Sequence, residues 1–214
     1  MPTSVHAAGT PVDLALVLAV DVSASVDFGE FGLMMGGYAA AFRDQALAQR
    51  LASGAAGATA VAMLFWSGPG VREIAVPWRR VASVADAAAF AEAIDATPRM
   101  IPAGATALGE GLAASLALLE RCPWPAARRV VDVSGDGRAN AGLPLATARA
   151  AAELAWVTVN GLAVVNEEPD LADYYREALI VGPGAFVLRA EDYAAFAEAI
   201  LAKLWREVGG AAVA

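Results

Sequence analysis

Residues 12–20 are almost continuously apolar and rich in Leu and Val. A strand with one wet face alternates apolar with polar. A strand this uniform is covered on both faces, as in the interior of a parallel sheet. Parallel strands are joined by crossovers, usually helices, so such a strand commits the chain to helices packed on a sheet. The rest of the sequence fits that demand. A second apolar run covers 58–66, Ser67-Gly68-Pro69-Gly70 reads as a turn, and 71–78 reads as a third strand. The last two therefore form a hairpin with an antiparallel edge. Further strands are expected over 130–133, 156–165 and 185–188. They alternate with helices over 84–94, from Thr106 onward, and over 144–153, 171–179 and 192–208.

The helix after the first strand has its own start signal. Asp27 followed by Glu30 resembles a capping box, and Phe31, Met34, Met35, Tyr38 and Phe42 recur at helical spacing. Gly32, Gly36 and Gly37 weaken this helix, which suggests a close neighbour there. The expected architecture is a single doubly wound, Rossmann-like α/β sheet, mainly parallel with one antiparallel edge strand, and helices on both faces.

The 214 residues allow one such domain with a sizeable core. The hydrophobic content of 58% is largely alanine, and the longest fully apolar runs, 14–20 and 60–66, are far short of the ~20 residues of a membrane span. No span is expected. A net charge of −8 disfavours nucleic acid as a partner. Cys122 is the only cysteine, so no intrachain disulfide can form. Residues 1–11 read as a disordered tail or the remnant of a signal peptide. Val5-His6-Ala7 fits a small-x-small cleavage pattern, but no charged or apolar region precedes it. Residues 209–214 read as a C-terminal tail.

Three segments carry the chemistry: Asp21-Val22-Ser23-Ala24-Ser25, Gly104-Ala105-Thr106 and Ser134-Gly135-Asp136-Gly137. Each follows an expected strand or precedes an expected helix. In a doubly wound sheet the parallel strands end on one edge, where ligands bind. Asp21, Ser23 and Ser25 are two apart and can face the same way in extended backbone. With Thr106 and Asp136 they offer two carboxylates and three hydroxyls. That is an oxygen-only set suited to a hard divalent cation. So few carboxylates leave the ion short of negative charge and open to an external one.

These residues resemble the von Willebrand factor type A family, whose metal-ion-dependent adhesion site follows the pattern Asp-x-Ser-x-Ser, then Thr, then Asp. Asp21, Ser23 and Ser25 match the first element, Thr106 the second and Asp136 the third. The resemblance covers residues 12–208. It implies six strands with the third antiparallel at an edge, and Mg2+ (or Mn2+ or Ca2+) at the site. Asp21, Ser23, Ser25 and Thr106 would then be ligands directly or through water, with Asp136 holding a bound water. It further implies a protein partner that presents Asp or Glu to the open coordination position. The run 130–137 resembles a bacterial, often exported branch of the family. That implies a periplasmic or secreted protein, with a cytoplasmic one left open.

The expected function is thus metal-dependent protein binding, as in adhesion or assembly, rather than catalysis. The main alternative is a phosphatase of the haloacid dehalogenase type using Asp21 and Asp136. That chemistry wants a second Asp where Ser23 stands and a lysine before the late motif, whereas Lys203, the only lysine, follows it. His6, the only histidine, lies in the tail, so no Ser-His-Asp triad forms within the domain. A scaffold with a non-functional site is the third reading. Asp132, inside an expected strand, should pair with an arginine or backbone amides, and Asp13 with similar structural partners. The turn 67–70 and residues 138–140 are expected to rim the site, with Trp66 either beside it or in the core.

Overall fold

The computed structural model describes residues 9–209. The tail expectations for residues 1–8 and 210–214 lie outside the described residues. Six strands form one sheet in the order β3-β2-β1-β4-β5-β6. They are β1 (Val12–Asp21), β2 (Thr59–Trp66), β3 (Arg72–Val81), β4 (Ala126–Gly135), β5 (Thr158–Val164) and β6 (Val187–Ala190). Strand β3 runs antiparallel to β2, and all other pairs are parallel. The apolar run singled out in the sequence is central. Leu14, Leu16, Leu18 and Val20 of β1 enter one core, and Ala15, Val17 and Ala19 enter the other.

The first core lies under α1 (Phe28–Arg43), α2 (Gln45–Leu51), α3 (Val84–Asp95) and α7 (Phe196–Gly209). The second lies under α4 (Leu108–Glu120), α5 (Leu145–Leu154) and α6 (Leu171–Tyr174), which continues as a π turn over Tyr175–Leu179. The capping box is present. Asp27 accepts from the Glu30 N–H and Glu30 from the Asp27 N–H, each at 2.8 Å. Gly37 explains part of the glycine content of α1. A Cβ there would lie 2.9 Å from the Phe196 ring and 3.1 Å from the Ala197 backbone, so α7 crosses α1 closely only because Gly37 is bare.

Several elements differ from their sequence expectation. Strand β4 begins four residues earlier, because its exposed start reads as polar loop (Arg128, Arg129) yet pairs with β1. Helix α2 was not expected; Asp44 ends α1 and caps α2 by accepting from the Leu47 N–H at 2.7 Å. Helix α4 starts at Leu108, so Thr106 lies two residues before the helix rather than opening it. Helix α7 starts at Phe196 rather than Asp192. Trp66 is core: it is buried beneath α4 in the second cluster.

Asp13 meets the amides of Ala56 and Ala58 at 2.9 and 3.3 Å. Asp132 pairs with neither arginine nor amide. Its partner is Lys203 of α7, and both side chains are fully buried.

Candidate functional site

Strands β1 and β4 are adjacent and parallel, with Val20 opposite Ser134. Asp21 and Asp136 therefore emerge side by side at the C-terminal edge of the sheet. Both are buried, as are Ser23 and Thr106. The Asp21 Oδ1 accepts from the Ser23 N–H at 2.8 Å, which turns the chain sharply after β1. The hydroxyls then form a chain. Thr106 Oγ1 donates to Ser23 Oγ at 3.4 Å, Ser23 and Ser25 share a hydrogen bond of 3.2 Å, and Ser25 Oγ donates to Asp136 Oδ1 at 2.7 Å. All five side chains singled out in the sequence thus meet at one place.

The loops are locked by their backbones. The Val22 N–H donates to the Trp66 carbonyl at 2.9 Å and the Ala24 N–H to Gly104 at 2.8 Å. Asn140 grips the Thr106 loop twice. Its Oδ1 accepts from the Thr106 N–H at 2.8 Å, and its own N–H donates to the Thr106 carbonyl at 3.1 Å. Gly135 leaves room at the centre. A Cβ there would come within 2.8 Å of the Tyr175 hydroxyl and 2.9 Å of Asp21 Oδ2. Arg138 forms the rim, paired with Glu168 at 2.9 Å and Asp170 at 2.6 Å and stacked 4.8 Å from the Tyr174 ring centroid.

Electrostatically the site is short of positive charge. Asp21 Oδ2 and Asp136 Oδ2 are buried and have no hydrogen-bond partner among the described residues. Burial, and then the negative charge of Asp136, push the Asp21 carboxyl up to about 7; Ser23 and the more distant Arg99 pull it back only in part. Burial followed by the same two carboxylates raises the phenol of Tyr175. The phenol of Tyr193 is raised by burial and then by Asp136. Both stay neutral donors beside the site. Among the described residues no group of three or more His, Cys, Asp or Glu side chains is gathered as for a metal ion. The donor set here differs in kind: two carboxylates and three hydroxyls.

Three contributors were not expected from the sequence. Tyr175 and Tyr193 reach the site from distant helical and loop segments. Arg99 is the third: it donates to the carbonyls of Val26 at 2.6 Å, Val22 at 2.8 Å and Ser23 at 2.9 Å. It is the only charged residue between Asp95 and Glu110, a signal that was available. Its planar fork holds the 22–26 loop in shape, which an ammonium cannot reproduce. Arg99→Ala should lower the unfolding free energy by about 2–4 kcal/mol, and Arg99→Lys should recover little of that. Equilibrium urea unfolding reads both, and a loss below about 1 kcal/mol would show the loop to be held by other contacts.

Comparison with known proteins places this geometry. The family described as "Protein of unknown function (DUF1194)" matches residues 11–212. No curated protein matches the chain. Among solved structures, the von Willebrand factor type A protein from Catenulispora acidiphila superposes with a TM-score of 0.61 at 20% identity, over 93% of this chain and 43% of that one. The pilus adhesin SpaC from Lactobacillus rhamnosus GG gives 0.65 at 15%, over 94% and 31%. Proximal thread matrix protein 1 from the mussel byssus, with a zinc-occupied MIDAS motif, gives 0.61 at 14%, over 92% and 48%. The chain spans less than half the length of each of these three, and identities this low speak to the fold alone. With the family matched over nearly its whole length and the sheet order in hand, the chain belongs to the DUF1194 family and has a von Willebrand factor type A-like fold.

Proposed function

We propose that this protein is a metal-dependent protein-binding module. Asp21, Ser23, Ser25 and Thr106 hold a divalent cation, Mg2+ or Mn2+ by preference with Ca2+ also suited, and Asp136 supports the set from behind. The observation that carries this reading is the pair of buried carboxylate oxygens, Asp21 Oδ2 and Asp136 Oδ2, with no partner in a cluster of hydroxyls. A buried charge is retained where something neutralises it. The guanidinium of Arg99 does so only in part, because it donates to three backbone carbonyls and to neither carboxylate. When bound, the cation supplies that charge and an open position for an acidic side chain of a protein partner. The chain's residues orient the ion and exclude water on the sheet side.

The interaction reading also draws on the neighbours. One is a pilus adhesin and another a thread matrix protein, which supports a non-catalytic, adhesive role outside the cytoplasm. No helix among the described residues is long and apolar enough to cross a membrane. The phosphatase alternative receives no support here, because Lys203 is taken up by buried Asp132. The test is capture of partners on immobilised protein with Mg2+ or with chelator, beside calorimetric titration of Mg2+, Mn2+, Ca2+ and Zn2+. Chelator-sensitive capture that Asp21→Ala abolishes is expected. Capture indifferent to chelator would remove the metal from the binding mechanism.

A further inference from the structure

The opposite edge of the sheet carries an unusual residue. Helix α5 ends in a Schellman motif: the Val157 N–H donates to the Ala152 carbonyl at 3.0 Å and the Trp156 N–H to Glu153 at 3.1 Å. The residue at the left-handed position of such a motif is usually glycine. Here it is Trp156, at φ 56°, the only non-glycine residue with positive φ among those described. Its side chain is 83% exposed, and Leu154 beside it is 84% exposed. The fold gains nothing from an indole held in water on a strained backbone. Such an outlier points to function.

Trp156 lines a cavity of about 500 Å³ with Arg128, Arg129, Thr158, Pro183 and Gly184. No Asp or Glu among the described residues lines it. Among the described residues neither arginine forms an ion pair: Arg128 donates to the Glu207 carbonyl at 3.1 Å and Arg129 to the Ala155 carbonyl. Burial raises the Glu207 carboxyl, and Lys203 and then Arg128 oppose that rise only in part.

We propose that this cavity docks an acidic segment of a partner protein lying across the sheet edge, with separate carboxylates on Arg128 and Arg129, which leave β4 on opposite faces, and an apolar or proline side chain on the Trp156 ring. Charge complementarity selects the occupant: a cationic, carboxylate-free cavity on a chain of net charge −8. Two arginines neutralise only two phosphates, too few to hold a nucleic-acid backbone. The exposed indole suits a chain lying across it, and Trp and Arg are the residues on which interfaces most depend. The cavity lies where β4 and β5 begin, away from the Asp21 edge, so the two sites can hold ligands at once.

The test uses a fluorescein-labelled peptide, Gly-Glu-Glu-Pro-Leu-Glu-Glu-Gly, and its all-Gln counterpart, in fluorescence anisotropy with the whole chain. Binding of the Glu peptide should weaken as salt rises and survive chelator and Asp21→Ala. Trp156→Gly and the Arg128→Ala/Arg129→Ala pair should each weaken it at least tenfold. Trp156→Gly also relieves the left-handed strain, so its melting temperature should rise by about 2–4 °C, which separates lost binding from lost folding. Equal binding of the Gln peptide, no binding of either, or unchanged binding by Trp156→Gly overturns the proposal. So does concentration-dependent sedimentation of the protein alone that Trp156→Gly abolishes, which would make the occupant a second copy of this chain.

Discussion

Saturating Mg2+ or Mn2+ should raise the melting temperature of the chelator-treated protein by about 5–10 °C, and Asp21→Ala should remove the rise. The size follows from linkage. A ligand at one hundred times its Kd stabilises the state it binds by about 2.7 kcal/mol. A chain of this length gains about 2–4 °C per kcal/mol. The physical source is the two buried carboxylates, whose desolvation and mutual repulsion a bound cation would offset. A wild-type melt that responds to neither metal nor chelator would refute the metal site.

Burial of Asp21, with the negative charge of Asp136 beside it, sets the pH dependence of the metal-free protein. Asp21 is raised to about 7 in the fold, well above its value of 3.8 as a free side chain. Between those values the folded state binds the extra proton, so stability falls as pH rises from about 4 to about 7 and is flat above. The span is about three units, which bounds the effect at about 4 kcal/mol. Asp21→Asn keeps the shape and the acceptor for the Ser23 N–H but carries no charge. Without metal, it should therefore be more stable than wild type at pH 8 and close to it at pH 4. Metal and proton compete for the same carboxylate, so the metal-induced rise should fade as pH drops below 7.

Why the site was legible and its surroundings were not follows from distance along the chain. Asp21, Ser23, Ser25 and Asp136 sit at strand ends that hydrophobic runs mark plainly, and the edge rule for doubly wound sheets brings strand ends together. Thr106 needed only its place before a helix. Arg99, Tyr175 and Tyr193 act through loop paths that no periodicity records. The partner of Asp132 is a different case. Lys203 is 71 residues away, but Phe196, Ile200, Lys203, Leu204 and Glu207 fall on one face of a 3.6-residue helix. A lysine and a glutamate inside the apolar stripe of α7 are the signal that a buried carboxylate awaits them. The expectation of an arginine or amide partner overlooked that stripe.

That buried pair carries the largest effect on stability expected from a single substitution here. Lys203 and Asp132 are fully buried, and Glu207 lies beside them at 1% exposure, accepting from Asn160 Nδ2 at 2.7 Å. Asn160 Oδ1 in turn accepts from the Phe186 N–H at 2.8 Å, so one ammonium anchors a polar cluster that joins α7 to β4 and β5. Lys203→Met keeps the length and apolar stem but leaves Asp132 without its cation and Glu207 with one fewer. Breaking a buried pair from one side costs about 3–5 kcal/mol, which corresponds to a fall in melting temperature of about 10–15 °C. The ion pair itself need not be the source of stability, because desolvation offsets most of its attraction. Replacing all the charges together, as Asp132→Leu, Lys203→Met and Glu207→Gln, should therefore recover most of the loss. If the triple variant melts as low as Lys203→Met, the cluster contributes a specific electrostatic stabilisation that apolar packing cannot replace.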